Sequence, residues 1–255
     1  MISFFRKIRN LPAGKAGKMA DDNRPLKYAR YAIGEIVLVV IGILIALSIN
    51  NWNSDRIDSI KEQSLLKELK SDYLSNIKEI EVTLNQMITQ QEAYEKIFDY
   101  FDNDKPVDST LQKCFELIQG IGVFNSANTT YKFIETNGIN LLSNSEIRKD
   151  ATILYDEYFS NIVIRRNNHY DLIKNNLMPF IKREFRSSSV YYKGNNITRL
   201  ILNVPINFEE LRENIEFRNT LVEIYDYTLI RKVALEKTLK LLNEKIMTLE
   251  ENILE

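Results

Sequence analysis

The run Tyr31 to Ile49, YAIGEIVLVVIGILIALSI, restricts this chain more than any other feature. Nineteen helical residues rise about 28 Å, close to the thickness of a bilayer hydrocarbon core. Eleven of the fourteen residues from Ile36 to Ile49 are Leu, Ile or Val. At mid-bilayer these contribute together roughly −3 to −7 kcal/mol, which outweighs one acidic residue near the end of the span. The run offers no polar face to water, which argues against a core helix of a soluble protein. Arg6, Lys7, Arg9, Lys15, Lys18, Arg24, Lys27 and Arg30 precede it, whereas only Arg56, Lys61 and Lys67 fall in the twenty residues that follow. That asymmetry keeps the N-terminus in the cytoplasm. The sequence therefore predicts a cytoplasmic basic segment (1–30), a single transmembrane helix (31–50) and an exported domain (51–255). A cleaved signal peptide competes with this reading, because Ala46-Leu47-Ser48 has the small-x-small pattern of a cleavage site.

Upstream of the span, ISFFRKIRNL sets Phe4, Phe5, Ile8 and Leu11 against Arg6, Lys7 and Arg9. That pattern is either a short amphipathic helix lying on the anionic inner leaflet or a charge cluster that only sets topology. Residues 11–23, LPAGKAGKMADDN, are small, charged and irregular, as in a flexible segment.

Eight Gly and five Pro in 255 residues are few, which favours long helices over strands and turns. From Ile77 onward, Ile77, Ile80, Leu84, Met87, Gln91, Tyr94, Phe98 and Phe101 alternate steps of three and four, a heptad seam. Leu66, Leu69 and Tyr73 continue it upstream, with a stutter at the step from Tyr73 to Ile77. No Gly or Pro interrupts residues 50–100, so this helix, about 55–101, continues from the membrane helix. Leu235, Leu239, Leu242, Ile246, Leu249 and Ile253 repeat the pattern in a second helix, about 208–253. The fold class that follows is all-α: a transmembrane helix continuing into a long antiparallel coiled-coil stalk, with a small helical head at about 106–206. Parallel pairing of two chains satisfies the same pattern.

Within the head, Thr129 to Asn137 reads as a helix stopped by Gly138 in a left-handed cap. Ser143-Asn144-Ser145-Glu146 has capping-box spacing and starts the next helix, which Pro179 should kink or end near Met178. Val190 to Leu202 carries Gly194-Asn195-Asn196 between two β-prone runs, the outline of one short β-hairpin. Cys114 cannot form an internal disulfide, being the sole cysteine, and reads as a small core residue beside Phe115 and Ile118.

Three blocks carry a resemblance. FFRKIR at the N-terminus, GEIVLVVIGILIALSINNWN from Gly34 to Asn53 and TYKFIETNGINLLSNSEIR from Thr130 to Arg148 resemble an uncharacterised family of single-span membrane proteins common in Bacteroidota. The resemblance implies inner-membrane anchoring and a helical exported domain, and it supplies no catalytic residues. Residues 11–23 depart from the family pattern as an insertion.

Glu35, Val39, Gly42 and Ala46 fall on one helical stripe at 100° per residue, extended by Asn53. An ionisable group in an apolar span is costly and often functional, and Gly42-xxx-Ala46 is a small-xxx-small contact, so the stripe is the candidate surface for packing on another membrane helix. Alternatively Glu35 reaches water or Arg30, and the small residues are merely tolerated. His169, the single histidine, lacks neighbouring cysteines and reads as a surface residue rather than a metal ligand. Tyr155, Tyr158, Phe159, Tyr191 and Tyr192 read as core rather than as a ligand box. Net charge is −1 and no basic patch stands out in the exported part, so nucleic acid is not an expected partner. Motifs for phosphate loops, nucleophile elbows and metal sites do not occur, and the sequence calls for neither cofactor nor enzyme activity. The expected partners are the lipid bilayer and a protein, another copy of this chain included. The expected role is a membrane-anchored interaction or scaffold protein, with a ligand-sensing ectodomain second and an enzyme third.

Overall fold

The computed structural model describes residues 24–193 and 197–253. The basic segment ISFFRKIRNL, the irregular stretch 11–23 and the turn Gly194-Asn195-Asn196 lie outside the described residues. The chain divides into two compact units, Met1–Ile57 and Asp58–Glu255. Helix α1 (Arg24–Asp102, 79 residues) supplies the described part of the first unit and the first element of the second. The expected junction between span and stalk is thus continuous helix.

In the second unit α1 is followed by α2 (Ser109–Leu117) and α3 (Thr129–Asn137). A long helical stretch comes next: α4 (Ser145–Thr152), a π-helical segment (Ile153–Phe159), α5 (Ser160–Leu172), a second π-helical segment (Ile173–Leu177) and α6 (Met178–Glu184). Strands β1 (Phe185–Lys193) and β2 (Ile197–Pro205) pair antiparallel from Phe185↔Pro205 to Lys193↔Ile197, and α7 (Phe208–Glu213) and α8 (Ile215–Asn252) complete the chain. The hairpin read from the sequence is present and extends beyond both expected ends.

The two long helices meet within one chain and run antiparallel. Near one end Gln63 Nε2 donates to the Asn252 carbonyl at 3.1 Å and Lys70 pairs with Glu250 at 2.8 Å. Further along, the Tyr225 hydroxyl donates to Glu95 at 3.0 Å, and Arg218 pairs with Asp102 at 2.8 Å. The central segment 106–206 packs along both helices. One core joins Leu65 to Met87 with Phe124, the helix around Leu154 and Leu235 to Leu249. The other joins Ala93 to Phe101 with α2, Ile173 to Phe185 and Phe208 to Ile224. Cys114 lies in the second core with Phe115 and Ile118, as its neighbours in sequence suggest.

Among the buried positions of α1, Leu66, Leu69, Tyr73, Asn76, Ile80, Thr83, Met87, Gln90, Tyr94, Ile97 and Phe101 form one series, with Leu65, Leu84 and Ala93 buried beside it. Steps of three and four alternate without a break, so the expected stutter between Tyr73 and Ile77 is absent. Ile77, Gln91 and Phe98 flank this seam and are only partly buried. Apolar residues alone set the seam one residue off at alternate positions, because Asn, Thr and Gln stand at 76, 83 and 90. In α8 the buried series runs Phe217, Leu221, Ile224, Thr228, Arg231, Leu235, Thr238 and Leu242, then steps by four to Ile246. A stutter exists, therefore, in the second long helix.

Three other local expectations need correction. Pro179 does not end its helix, which runs on to Glu184; the irregularity expected near Met178 takes the form of the π-helical segment Ile173–Leu177 immediately before it. Asn144 rather than Ser143 caps α4, accepting from the Glu146 amide at 2.8 Å, while the Ser143 hydroxyl donates to Glu62 at 2.8 Å. The expected helix 208–253 breaks at Asn214, whose side chain accepts from the Phe217 amide at 2.9 Å and so caps α8. Gly138 does stop α3 with a positive φ of 112°, but its ψ of 124° lies outside the left-handed helical basin.

Candidate functional site: an exposed apolar span, a buried clamp and a surface groove

Glu35, Val39, Gly42, Ala46 and Asn53 all lie on α1 in its first unit and all are exposed. A Cβ placed on Gly42 would meet nothing within 4 Å. The apolar window of this helix is long enough to cross a membrane, and none of it is buried. Aromatic side chains mark its two ends: Tyr28 and Tyr31 at one and Trp52, the single tryptophan, at the other, all more than half exposed. Tyr31 and Trp52 stand about 32 Å apart along the helix, a separation matched to the two interfaces of a bilayer where such rings concentrate. The aromatic spacing was available in the sequence and reinforces the span.

The second unit contains a polar arrangement that apolar periodicity does not reveal. Residues 118–128 form neither helix nor strand, yet they run against α1 in the core, so their backbone groups need partners. Side chains supply them. The Tyr94 hydroxyl donates to the Ile118 carbonyl at 3.2 Å, and the Thr83 hydroxyl lies 3.1 Å from the Val123 carbonyl. Asn76 holds Ala127 on both sides, donating to its carbonyl at 2.9 Å and accepting from its amide at 2.7 Å. The Tyr155 hydroxyl reaches the same carbonyl at 2.9 Å, and Asp72 accepts from the Thr130 amide at 3.0 Å. The approach is close: a Cβ on Gly122 would stand 3.0 Å from Thr83 Cγ2.

From the opposite side Arg231, 3 % exposed, donates through Nη2 to the Gly122 carbonyl at 2.7 Å. Its Nη1 faces His169 Nδ1 at 2.6 Å, and His169 Nε2 lies 3.3 Å from the Thr228 hydroxyl, which itself donates to the Ile224 carbonyl. Because guanidinium can only donate, Nδ1 must accept and the imidazole proton sits on Nε2. His169 is 1 % exposed, which corrects the expectation of a surface histidine. Burial, reinforced by the Arg231 charge, pushes its pKa from 6.5 down to about 3. Burial also lowers Arg231, to about 10, with Arg166 adding to the effect, so the guanidinium is still charged at neutral pH. No carboxylate among the described residues pairs with Arg231; neutral His169 and a carbonyl serve in its place.

On the surface, a groove of about 620 Å³ runs between the α4–α5 stretch and α8. Leu229, Ile230, Val233 and Ala234 form one wall and Tyr158 faces them, with Arg165 and Lys237 among the polar residues. Of the aromatics read as core, Tyr155 and Phe159 are buried, and Tyr158 is half-buried at this groove. No cluster of three or more metal-ligating side chains occurs among the described residues.

No curated protein and no solved structure matches this chain. A family model does match, over residues 35–187, which begin in the apolar run at Glu35 and end in β1. That stretch includes the second and third blocks singled out in the sequence, and it covers more than half of the chain. The chain accordingly belongs to the family of unknown function DUF6090.

Proposed function

We propose that this protein is a single-span, membrane-anchored interaction or scaffold protein and not an enzyme. Residues 1–30 remain in the cytoplasm, and the second unit is exported to the periplasm of a bacterial inner membrane. The observation that carries the reading is the wholly exposed apolar window of α1, bounded by Tyr31 and Trp52 at bilayer spacing. In water such a surface would drive aggregation, and lipid satisfies it. The stripe of Glu35, Val39, Gly42, Ala46 and Asn53 is then the surface on which a second membrane helix packs, with the small residues allowing close approach. The groove on the second unit favours one further reading, a ligand-sensing ectodomain that acts through a partner.

Alkaline extraction of membranes, protease treatment of intact spheroplasts and crosslinking with pull-down test the proposal together. The protein should stay in the membrane pellet, lose its C-terminal unit to external protease and retain a specific crosslinked partner that Gly42→Leu abolishes. Release into the alkaline supernatant overturns the anchoring. An unchanged partner in Gly42→Leu removes the stripe from the account.

A further inference from the structure

The two cores of the second unit are divided by a polar layer, and each long element that passes between them crosses it. Helix α1 passes from Met87 to Ala93 across Gln90, the helical stretch through α5 passes from Ile162 to Ile173 across His169, and α8 passes from Ile224 to Leu235 across Thr228 and Arg231. Another crossing is the irregular stretch between Ile118 in one core and Phe124 in the other. Of the intervening residues 119–123 only Gly122 is buried, while Ile121 is half-buried and Val123 is 42 % exposed. Lifting this short strap therefore leaves both apolar cores almost intact, which is the condition for local opening below the free energy of global unfolding.

Few contacts hold the strap down. The Gly122 carbonyl accepts from Arg231 Nη2 at 2.7 Å, and the Val123 carbonyl lies 3.1 Å from the Thr83 hydroxyl. Gly120 sits so close to α1 that a Cβ on it would stand 2.7 Å from Gln90 Nε2, yet Gln90 Oε1 is buried there without a hydrogen-bond partner. Opening returns that oxygen to water, which offsets part of the cost. Around His169, α8 presents Arg231, Thr228 and the Tyr227 ring at 5.9 Å, and Arg166 of its own helix adds a second positive charge acting on Arg231. Helix α1 offers the strap the uncharged Thr83, Gln86 and Gln90. No carboxylate among the described residues pairs with His169 or Arg231, so a protonated imidazole in the closed layer has no counter-charge.

We propose that residues 119–123 form an acid-released strap: when they lift from Arg231, water reaches the His169–Arg231 pair, the imidazole takes a proton, and the two like charges keep the strap open. The open form bares the polar face of α1 at Thr83, Gln86 and Gln90. The strap belongs to the second unit alone, so it goes beyond the anchoring proposal and does not depend on it.

Gln90→Cys sets a thiol beneath Gly120 in place of a side chain whose Oε1 has no partner, and the native Cys114 in the second core is the reference within the same chain. The full-length variant in non-ionic detergent is treated with a dipyridyl disulfide at pH 7 and pH 5, the labelled thiols are resolved by peptide mapping, and each rate is divided by that of the urea-unfolded chain at the same pH. The ratio at position 90 should exceed that at Cys114 by about tenfold or more. It should rise about 25-fold from pH 7 to pH 5, because an imidazole with a pKa of about 3 under the closed strap regains 6.5 when the strap lifts. Dilute urea should raise the ratio at Cys114 and leave that at position 90 unchanged, since lifting the strap exposes little surface. With His169→Asn added, whose amide oxygen still accepts from Arg231, the acid rise at position 90 should disappear; the two thiols of the single variant test local opening without it. Equal ratios at the two thiols, equal dependence on urea, no rise in acid, or a rise that survives His169→Asn each overturns the proposal.

Discussion

His169 makes the stability of the second unit dependent on pH in a calculable direction. In the folded chain its Nδ1 accepts from Arg231 at 2.6 Å, in a buried site where a second positive charge would face the guanidinium. The folded pKa is accordingly about 3, against 6.5 for the ordinary imidazole. Between these values the unfolded chain binds a proton that the folded chain does not, so stability is full above 6.5 and falls as pH drops. The slope approaches about 1.4 kcal/mol per pH unit, and integrated from pH 7 to pH 5 the loss attributable to His169 is about 2 kcal/mol. Carboxylates contribute their own dependence, so the measurement must be a difference. Urea unfolding of the full-length chain in non-ionic detergent, followed by circular dichroism, should be performed at both pH values for the wild type and for His169→Asn. The variant offers Arg231 an acceptor in its amide Oδ1 and lacks the titration. The wild type should lose about 2 kcal/mol more than the variant between pH 7 and pH 5. Identical losses would refute the assignment of a neutral, buried imidazole held by Arg231.

Three further perturbations test the clamp and the core around it. Asn76→Ala leaves the Ala127 amide without its partner and its carbonyl with Tyr155 alone, and should cost about 1–3 kcal/mol in urea unfolding, whereas Val82→Ala, on the exposed side of the same helix, should fall within about 0.5 kcal/mol of wild type; equal effects would contradict the clamp. Gly138→Ala places a Cβ on a residue with φ of 112° and should destabilise by about 1 kcal/mol or more by the same assay, although there is space around the position. Cys114 is buried and its thiol pKa is raised, chiefly by burial, so N-ethylmaleimide at pH 7.5 should modify it only after unfolding; stoichiometric modification of the native chain would show that the second core opens there.

Much of the architecture was legible because it depends on features that sequence expresses directly. The absence of Gly and Pro from residues 50–100 foretold an unbroken helix, and the apolar run foretold a helix long and apolar enough to cross a membrane. Gly194-Asn195-Asn196 foretold a hairpin whose strands the structure extends. Errors arose where a short polar side chain competes for backbone partners. Asn144 and Asn214 each turned a helix start through their own side-chain oxygens, and a capping residue one position away looks equally good in sequence. Pro179 disturbs its helix without ending it: the π-helical segment Ile173–Leu177 lies just before it and the helix continues to Glu184.

The buried clamp was illegible for a deeper reason. Reading a seam from apolar residues assumes that a helix buries side chains against side chains, and then a polar residue marks the solvent face. Helix α1 instead buries part of its length against bare backbone, so the same seam must alternate apolar residues with donors and acceptors. Asn76, Thr83 and Gln90 are seven residues apart and in phase with Leu69 and Ile97. That regular spacing is plain in the sequence, but apolar periodicity alone counts each of the three as an interruption. Arg231 follows the same logic from α8: one guanidinium satisfies the Gly122 carbonyl, and a neutral His169 takes its remaining direction, so a charge remains in the core with no acid to meet it. Asn76 and Thr83 thus meet the irregular segment at Ala127 and Val123, whereas Gln90, in the same phase beside Gly120, keeps its Oε1 buried without a partner, so the pattern follows the bare backbone at two of its three polar positions.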